Sequence, residues 1–166
     1  MPKTRKLALM AMFTAASLIV FVIEAQIPAP IPVPGVKLGL ANIVTLIAMV
    51  MLGRREAGLI LLVRIAMGSM FTGGVSAFIF SIAGGALAYA VMCLTLKLFP
   101  EKLLWVVSVL GAAAHNLGQL AAAIIITKTG SLMLYAPVLL ASAVVTGAFT
   151  GLAAMYLTQR LDKRVG

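Results

Sequence analysis

The sequence has little charge, few acidic residues and almost no cysteine. Only 10% of its 166 residues are charged, while 63% are hydrophobic. Soluble domains carry about a quarter charged residues, so this composition excludes a soluble domain of any size. The single cysteine, Cys93, excludes an intrachain disulfide and offers no set of metal ligands.

The shortage of acidic residues also restricts the chemistry. No two of the four acidic residues lie within one helical turn, and magnesium-dependent chemistry on diphosphates needs clustered carboxylates. The one aspartate, Asp162, lies in the polar tail, so no Ser-His-Asp set is evident. A Gly-Lys-Ser/Thr phosphate loop is also missing. We therefore expect a chain that is not an enzyme on its own and that holds no metal and no cofactor.

What the sequence has instead is long apolar runs that can cross a hydrocarbon core ~30 Å thick. They predict an all-α, polytopic membrane protein with one domain, residues 1–166, and about six transmembrane helices. The predicted spans are residues 7–27, 38–52, 57–71, 75–96, 103–127 and 132–157. Spans two and three are short, so they either extend into glycine-rich flanks or adjoin non-helical backbone that lines a protected cavity.

The connections between these runs show how the chain is oriented. Prolines at alternating positions in residues 28–34 predict a stiff, extended connector after span one. Ten of the 13 basic residues fall in segments on one side of the membrane, and only Lys37 and Lys128 fall on the other. The positive-inside rule therefore places both termini in the cytoplasm. Because the basic residues sit at the ends of apolar runs, the net charge of +9 indicates lipid headgroups and no nucleic-acid partner.

Two charged side chains lie inside predicted spans, where burial costs ~3 kcal/mol even on lenient scales. Arg64 is about eight residues into span three, and Glu24 is near the outer end of span one. They either form a stabilising pair or headgroup contact, or line a ligand cavity. Lys37, at the predicted cavity mouth, would attract an anionic ligand.

Span five carries three strongly polar residues at mid-depth, His115, Asn116 and Gln119. His115 and Gln119 are one helical turn apart and share a face. Asn42 in span two lies at a comparable depth. Such groups are expensive in lipid without partners, so they either join helices by hydrogen bonds or face a substrate cavity. We predict that they bind a small molecule together with Glu24, Lys37 and Arg64.

Small residues recur at the spacing at which helices approach closely in lipid. Gly147 and Gly151 form such a pair in span six, and Ala8, Ala11 and Ala15 lie along span one. The alanines either pack within the bundle or dock another membrane subunit.

Segments 33–46 and 111–120, with 64–69 and 81–85, resemble the bacterial heptaprenyl diphosphate synthase component I family, also called the Gx transporter family. The family is similar in size and span count to the S components of energy-coupling-factor transporters. That similarity implies an S-component-like bundle in the bacterial cell membrane, with an outer-half cavity for a small molecule. It also implies that Ala8, Ala11 and Ala15 dock a transmembrane coupling subunit driven by separate ATPases.

Two functions follow from the resemblance. The first, preferred from the sequence, is a transport component that binds a small-molecule substrate. The second is the non-catalytic membrane component of a polyprenyl diphosphate synthase in quinone side-chain synthesis, with a soluble prenyltransferase subunit as its partner. A subunit of a membrane redox assembly has less support, because no haem-ligand pair, iron–sulfur cysteines or flavin motif is evident.

Overall fold

A computed structural model describes residues 2–27, 39–72 and 74–165, with no side chains described for Thr72 and residues 161–165. The described chain is helical, with six α-helices and two short 3₁₀ helices. The α-helices are α1 (Lys3–Glu24), α2 (Asn42–Met51), α3 (Arg54–Thr72), α4 (Gly74–Leu98), α5 (Leu104–Thr127) and α6 (Ala136–Val165). The 3₁₀ helices, Glu101–Leu103 and Gly130–Tyr135, precede α5 and α6.

The shortest of the described α-helices, α2, lies at the centre of the bundle and contacts the other five α-helices. Its ten residues span only ~15 Å, about half of a hydrocarbon core. The helix ends at Met51, and two residues later the chain turns at Gly53, whose φ of +105° is a left-handed conformation that favours glycine. The chain then enters α3, which packs against α1, α2 and α4, while α5 packs against α4 and α6.

The two ends of the bundle differ in chemistry. At the end where α1, α3 and α5 begin, here called the basic end, an apolar core includes Leu46, Ile60, Met92 and Val107. Most basic residues of the sequence lie near this end. Toward the opposite end the interior is polar, because Glu24 and other polar side chains are buried there. The polar interior is therefore the candidate location of a binding site.

The outside of the bundle is strongly apolar. Exposed fractions reach 82% for Met70, 81% for Leu134 and 72% for Phe149. Isolated exposed hydrophobics are normal on soluble proteins, but contiguous apolar patches mark an apolar environment. In the described chain, four segments are long and apolar enough to cross a membrane: Lys3–Glu24, Gly74–Leu98, Glu101–Thr127 and Gly130–Arg160. The chain is therefore a helical membrane protein.

Several helix boundaries differ from the sequence-based spans. The last span was predicted to begin at Leu132, but that stretch is a 3₁₀ helix and α6 begins at Ala136. Pro137 explains this start, because proline is tolerated in the first turn of an α-helix but not in its interior. The polar tail after Leu157 continues α6 to Val165. The predicted proline-rich connector lies outside the described residues.

An ion pair joins the beginnings of α1 and α3 at the basic end, where Lys6 donates a hydrogen bond to Glu56. Glu56 lies before the apolar segment of α3, and this hydrogen bond lowers the pKa of its carboxyl below the ordinary 4.5. Because the folded-state pKa is lowered, the stabilisation is present above 4.5 and is lost as the pH falls through the lowered value.

We therefore expect Glu56→Gln to lower the melting temperature slightly at pH 7 and to have a smaller effect below pH ~4. Glu101→Gln, which removes another carboxylate from the same end, is the matched control, because Glu101 forms no ion pair in the described chain. A Glu56→Gln effect that stays constant from pH 7 to pH 3 would show that the carboxylate charge does not stabilise this contact.

Candidate functional site

A small polar cavity lies in the half of the bundle away from the basic end. Its walls come from α1, α3, α4 and α5 and from Gly39, which precedes α2. The lining residues are Phe21, Glu24, Gly39, Arg64, Ser81, His115 and Gln119. Four of the residues predicted from the sequence as ligand contacts therefore lie around one space. The cavity measures only ≈10 Å³, which is room for about one water molecule.

Glu24 holds the end of α1 to the beginning of α2. Its carboxylate accepts hydrogen bonds from the backbone N–H groups of Gly39 and, at 3.3 Å, of Ala41. Both donors precede the first turn of α2, where N–H groups lack partners within the helix and the helix dipole favours an anion. Gly39 has a φ of +83°, a backbone conformation that glycine adopts readily because it has no Cβ. The carboxylate, only 3% exposed, thus has a structural role.

Arg64 is almost completely buried, with 2% of its surface exposed. Its guanidinium carbon lies 5.7 Å from the centre of the Phe21 ring, within the range of a cation–π contact. Its Nε has no hydrogen-bond partner among the residues that the structure describes. Arg64 and Glu24 share the cavity and interact electrostatically, but they form no direct ion pair. Two opposite charges therefore line the same cavity without direct contact between the charged groups.

His115 and Gln119 reach the cavity from α5, as their spacing of one turn predicts. Both are buried, at 4% and 0% exposure. Gly84 on α4 lets them approach, because a Cβ placed there would lie 2.8 Å from Gln119 Cγ and 3.0 Å from His115 Cε1. One turn of α5 and a glycine of α4 thus build one wall together.

The two predicted asparagines have different surroundings. Asn42 is 7% exposed, and neither Nδ2 nor Oδ1 of its side chain has a hydrogen-bond partner among the described residues. It lies next to the cavity, because a Cβ on Gly39 would be 3.1 Å from its Nδ2 and 2.8 Å from His115 Cδ2. Asn116 does not line the cavity, and its Nδ2 donates to the Leu139 carbonyl of α6 at 2.8 Å. Hydrogen bonding between helices, one of the two interpretations open from the sequence, therefore accounts for its Nδ2, whereas its Oδ1 is buried without a partner among the described residues, and a ligand contact stays a prediction.

One residue predicted as a ligand contact lies outside the described chain, and three residues that were not predicted line the cavity. Lys37 lies outside the described residues, so its role at a cavity mouth stays a prediction. Phe21, Gly39 and Ser81 line the cavity although the sequence analysis did not select them as ligand contacts. Ser81 is 2% exposed, and its Oγ has no hydrogen-bond partner in the described ranges. A serine within an apolar helix was the available signal in the sequence. Phe21 and Gly39 gave no such signal in the sequence, because their positions depend on how the helices pack.

The alanine face of α1 is exposed. Ala8, Ala11 and Ala15 all belong to the exposed class, beside Met12 with 68% exposure. Packing within the bundle therefore does not use these alanines in the described chain, and docking of a membrane subunit stays a prediction. The glycine pair of α6 is different. A Cβ on Gly147 would be 2.6 Å from Val109 Cα, and one on Gly151 would be 2.5 Å from Trp105 Cα, so these glycines pack α6 closely on α5.

Comparison with known proteins gives a family. No curated protein and no solved structure matches the chain significantly. The family model described as heptaprenyl diphosphate synthase component I matches residues 13–157, which cover all of α2 to α5 and most of α1 and α6. This range includes the cavity and most of the apolar surface, and it agrees with the resemblance found in the sequence. The chain is thus a membrane protein of the heptaprenyl diphosphate synthase component I family.

Proposed function

We propose that this chain is the non-catalytic membrane component of a polyprenyl diphosphate synthase. It would act with a soluble prenyltransferase subunit that supplies the chemistry. The family match over residues 13–157 carries this proposal, because the family is described as one component of such a synthase. The helical, lipid-facing architecture supports a role at the membrane, where a long polyprenyl product partitions.

The positions of the acidic residues support a division of labour between two subunits. Ionisation of an allylic diphosphate with magnesium needs clustered carboxylates. Glu24 is bound by backbone N–H groups, and Glu56 is paired with Lys6. Among the described residues, no group of three or more metal-binding side chains comes together. A partner with its own carboxylate pairs would complete the site.

Co-purification tests this proposal. The full chain, expressed in bacteria and solubilised in mild detergent, is expected to recover a soluble prenyltransferase subunit. Recovery of a transmembrane coupling subunit with ATPases, and of no prenyltransferase, would contradict it. A sequence-unrelated polytopic membrane protein of similar size serves as the control for detergent-induced association.

We also propose that the chain crosses the bacterial cell membrane six times with both termini in the cytoplasm. Antiparallel helices and the concentration of basic residues at one end of the bundle support this orientation. The shortness of α2 means that one passage would include non-helical backbone, which is tolerated where protein surrounds it. Single cysteines introduced at Thr129 and Gln159 in a Cys93→Ala background are expected to react from opposite sides of intact cells.

The buried polar cluster favours a second function, binding of a small molecule for transport. Among the described residues, Asn42, Arg64 and Ser81 each have a buried polar atom without a hydrogen-bond partner, and a polar ligand would supply partners for such atoms. The cavity would have to enlarge, because small-molecule pockets usually measure ~300–1,000 Å³. Mass spectrometry of molecules that co-purify with the wild type and with His115→Ala tests this function. A polar molecule present in the first and absent from the second supports transport.

A further inference from the structure

A much larger cleft, ≈640 Å³, opens at the basic end of the bundle. It lies between the first half of α1 and the last part of α6. The end of α2 and the beginning of α5 form its floor. Its volume falls within the ~300–1,000 Å³ usual for ligand pockets, in contrast to the polar cavity.

The cleft exists because α2 is short. Both α1 and α6 pack against α2. Beyond Met51, α1 and α6 no longer have α2 between them, because the chain turns at Gly53 and continues as α3. The space between α1 and α6 below the end of α2 therefore stays open.

The walls of the cleft are apolar and adaptable. They include Leu9, Met12, Phe13, Met51 and Met155. Methionine is unbranched and polarisable, so it fits irregular shapes and contacts π-systems favourably. A methyl-branched, unsaturated chain matches such walls.

The rim of the cleft is cationic. Arg5 from α1 and Lys102 from the 3₁₀ helix both line it, with one carboxylate, Glu101, beside them. Both basic residues are exposed and neither forms an ion pair in the described chain. The nearby carboxylate of Glu56 is paired with Lys6, so it does not neutralise Arg5 or Lys102. The rim therefore keeps an excess of positive charge. Two cations from separate elements, above an apolar cleft, are complementary to an apolar chain with a highly charged anionic head.

We propose that this cleft binds a polyprenyl diphosphate, with the isoprenoid chain between α1 and α6 and the diphosphate at Arg5 and Lys102. The inference rests on the proposed function and adds the ligand class and its place. A diphosphate monoester carries more negative charge than a phospholipid phosphodiester, so two rim cations favour it over bulk lipid. A transmembrane segment of another protein would leave the rim charges without partners.

Binding of radiolabelled geranylgeranyl diphosphate to the full chain in phosphatidylcholine nanodiscs tests the proposal. Arg5→Gln combined with Lys102→Gln is expected to weaken binding of the diphosphate by about tenfold or more, and to leave binding of geranylgeraniol unchanged. Ala16→Trp, which fills the cleft from α1, is expected to weaken binding of both molecules. Lys97→Gln and Ala66→Trp are matched controls, because both residues are exposed and lie outside the cleft, and both should bind like the wild type.

Equal binding of geranylgeranyl diphosphate by the wild type, the double variant and Ala16→Trp would overturn the proposal. Displacement of the probe by an equal concentration of phosphatidylglycerol would also overturn it, since the cleft would then be a general lipid site. Recovery of the prenyltransferase subunit is measured separately on the same variants. Normal recovery of the prenyltransferase without binding of geranylgeranyl diphosphate would overturn only the proposed cleft site. Binding of geranylgeranyl diphosphate without recovery of any prenyltransferase would overturn the proposed synthase function.

Discussion

Replacing Arg64 with methionine is expected to lower the free energy of unfolding by about 1–3 kcal/mol, because the buried guanidinium compensates the charge of the Glu24 carboxylate although the two form no direct ion pair. Arg64 is only 2% exposed, and it lines the polar cavity of ≈10 Å³ together with Glu24. Without the guanidinium, the carboxylate keeps only its backbone donors and loses the compensating charge. Denaturation of the full chain in mixed micelles, followed by circular dichroism, measures the change.

A double variant separates charge from packing. If the loss comes from an uncompensated charge, Glu24→Gln combined with Arg64→Met should recover part of it, with a coupling of about 0.5–3 kcal/mol. Arg55→Met is the matched control, because Arg55 is exposed on the same helix, and it should change stability by no more than about 0.5 kcal/mol. If Arg64→Met behaves like Arg55→Met, the guanidinium contributes nothing to the fold and is available for a ligand alone.

Substituting Gly118 with leucine is expected to have the largest effect on folding of any single change described. Even a Cβ at this position would lie 2.6 Å from the Ala83 carbonyl oxygen and 3.0 Å from Gly84 Cα, both of which are backbone atoms of α4. Backbone atoms cannot rotate away as a flexible side chain can, so α4 and α5 must separate. Overpacking of this kind costs about 1–3 kcal/mol for small additions, and leucine adds more than a methyl group.

Thermal unfolding in detergent tests this prediction with an alanine pair. Gly118→Ala should lower the melting temperature by several degrees, and Gly118→Leu should yield little folded protein. Gly130→Ala is the matched control, since a Cβ there meets no atom within 4 Å. A melting temperature for Gly118→Ala equal to that of Gly130→Ala would show that α4 and α5 do not approach as closely as described.

The sequence predicted the helical membrane fold well, because composition and the length of apolar runs decide it. Helix ends were predicted less well. The sequence allowed a second span of 38–52, but α2 covers only Asn42–Met51. A run of apolar residues does not show where the helix begins, since Gly39 and the residues around it are also compatible with the membrane. The helical start of α6 was predictable only from Pro137.

The polar cavity was predictable in part. Charged or amide side chains within apolar helices are costly, so Glu24, Arg64, His115 and Gln119 were expected to meet, and the structure places them around one space. Their ligand remains a prediction. The direction of Asn116 toward α6 was not predictable, because it depends on the rotation of α5 relative to its neighbours. The basic-end cleft was missed for a similar reason, since it results from the early end of α2 and from no motif.

We propose above that this chain contributes to polyprenyl diphosphate synthesis without supplying the catalytic residues. The most direct measurement is chain elongation by the co-purified prenyltransferase in nanodiscs, with and without this chain, using farnesyl and isopentenyl diphosphates and magnesium. Long polyprenyl diphosphate is expected to form only, or much faster, when the chain is present. Identical product lengths and rates in its absence would show that the proposed function is wrong.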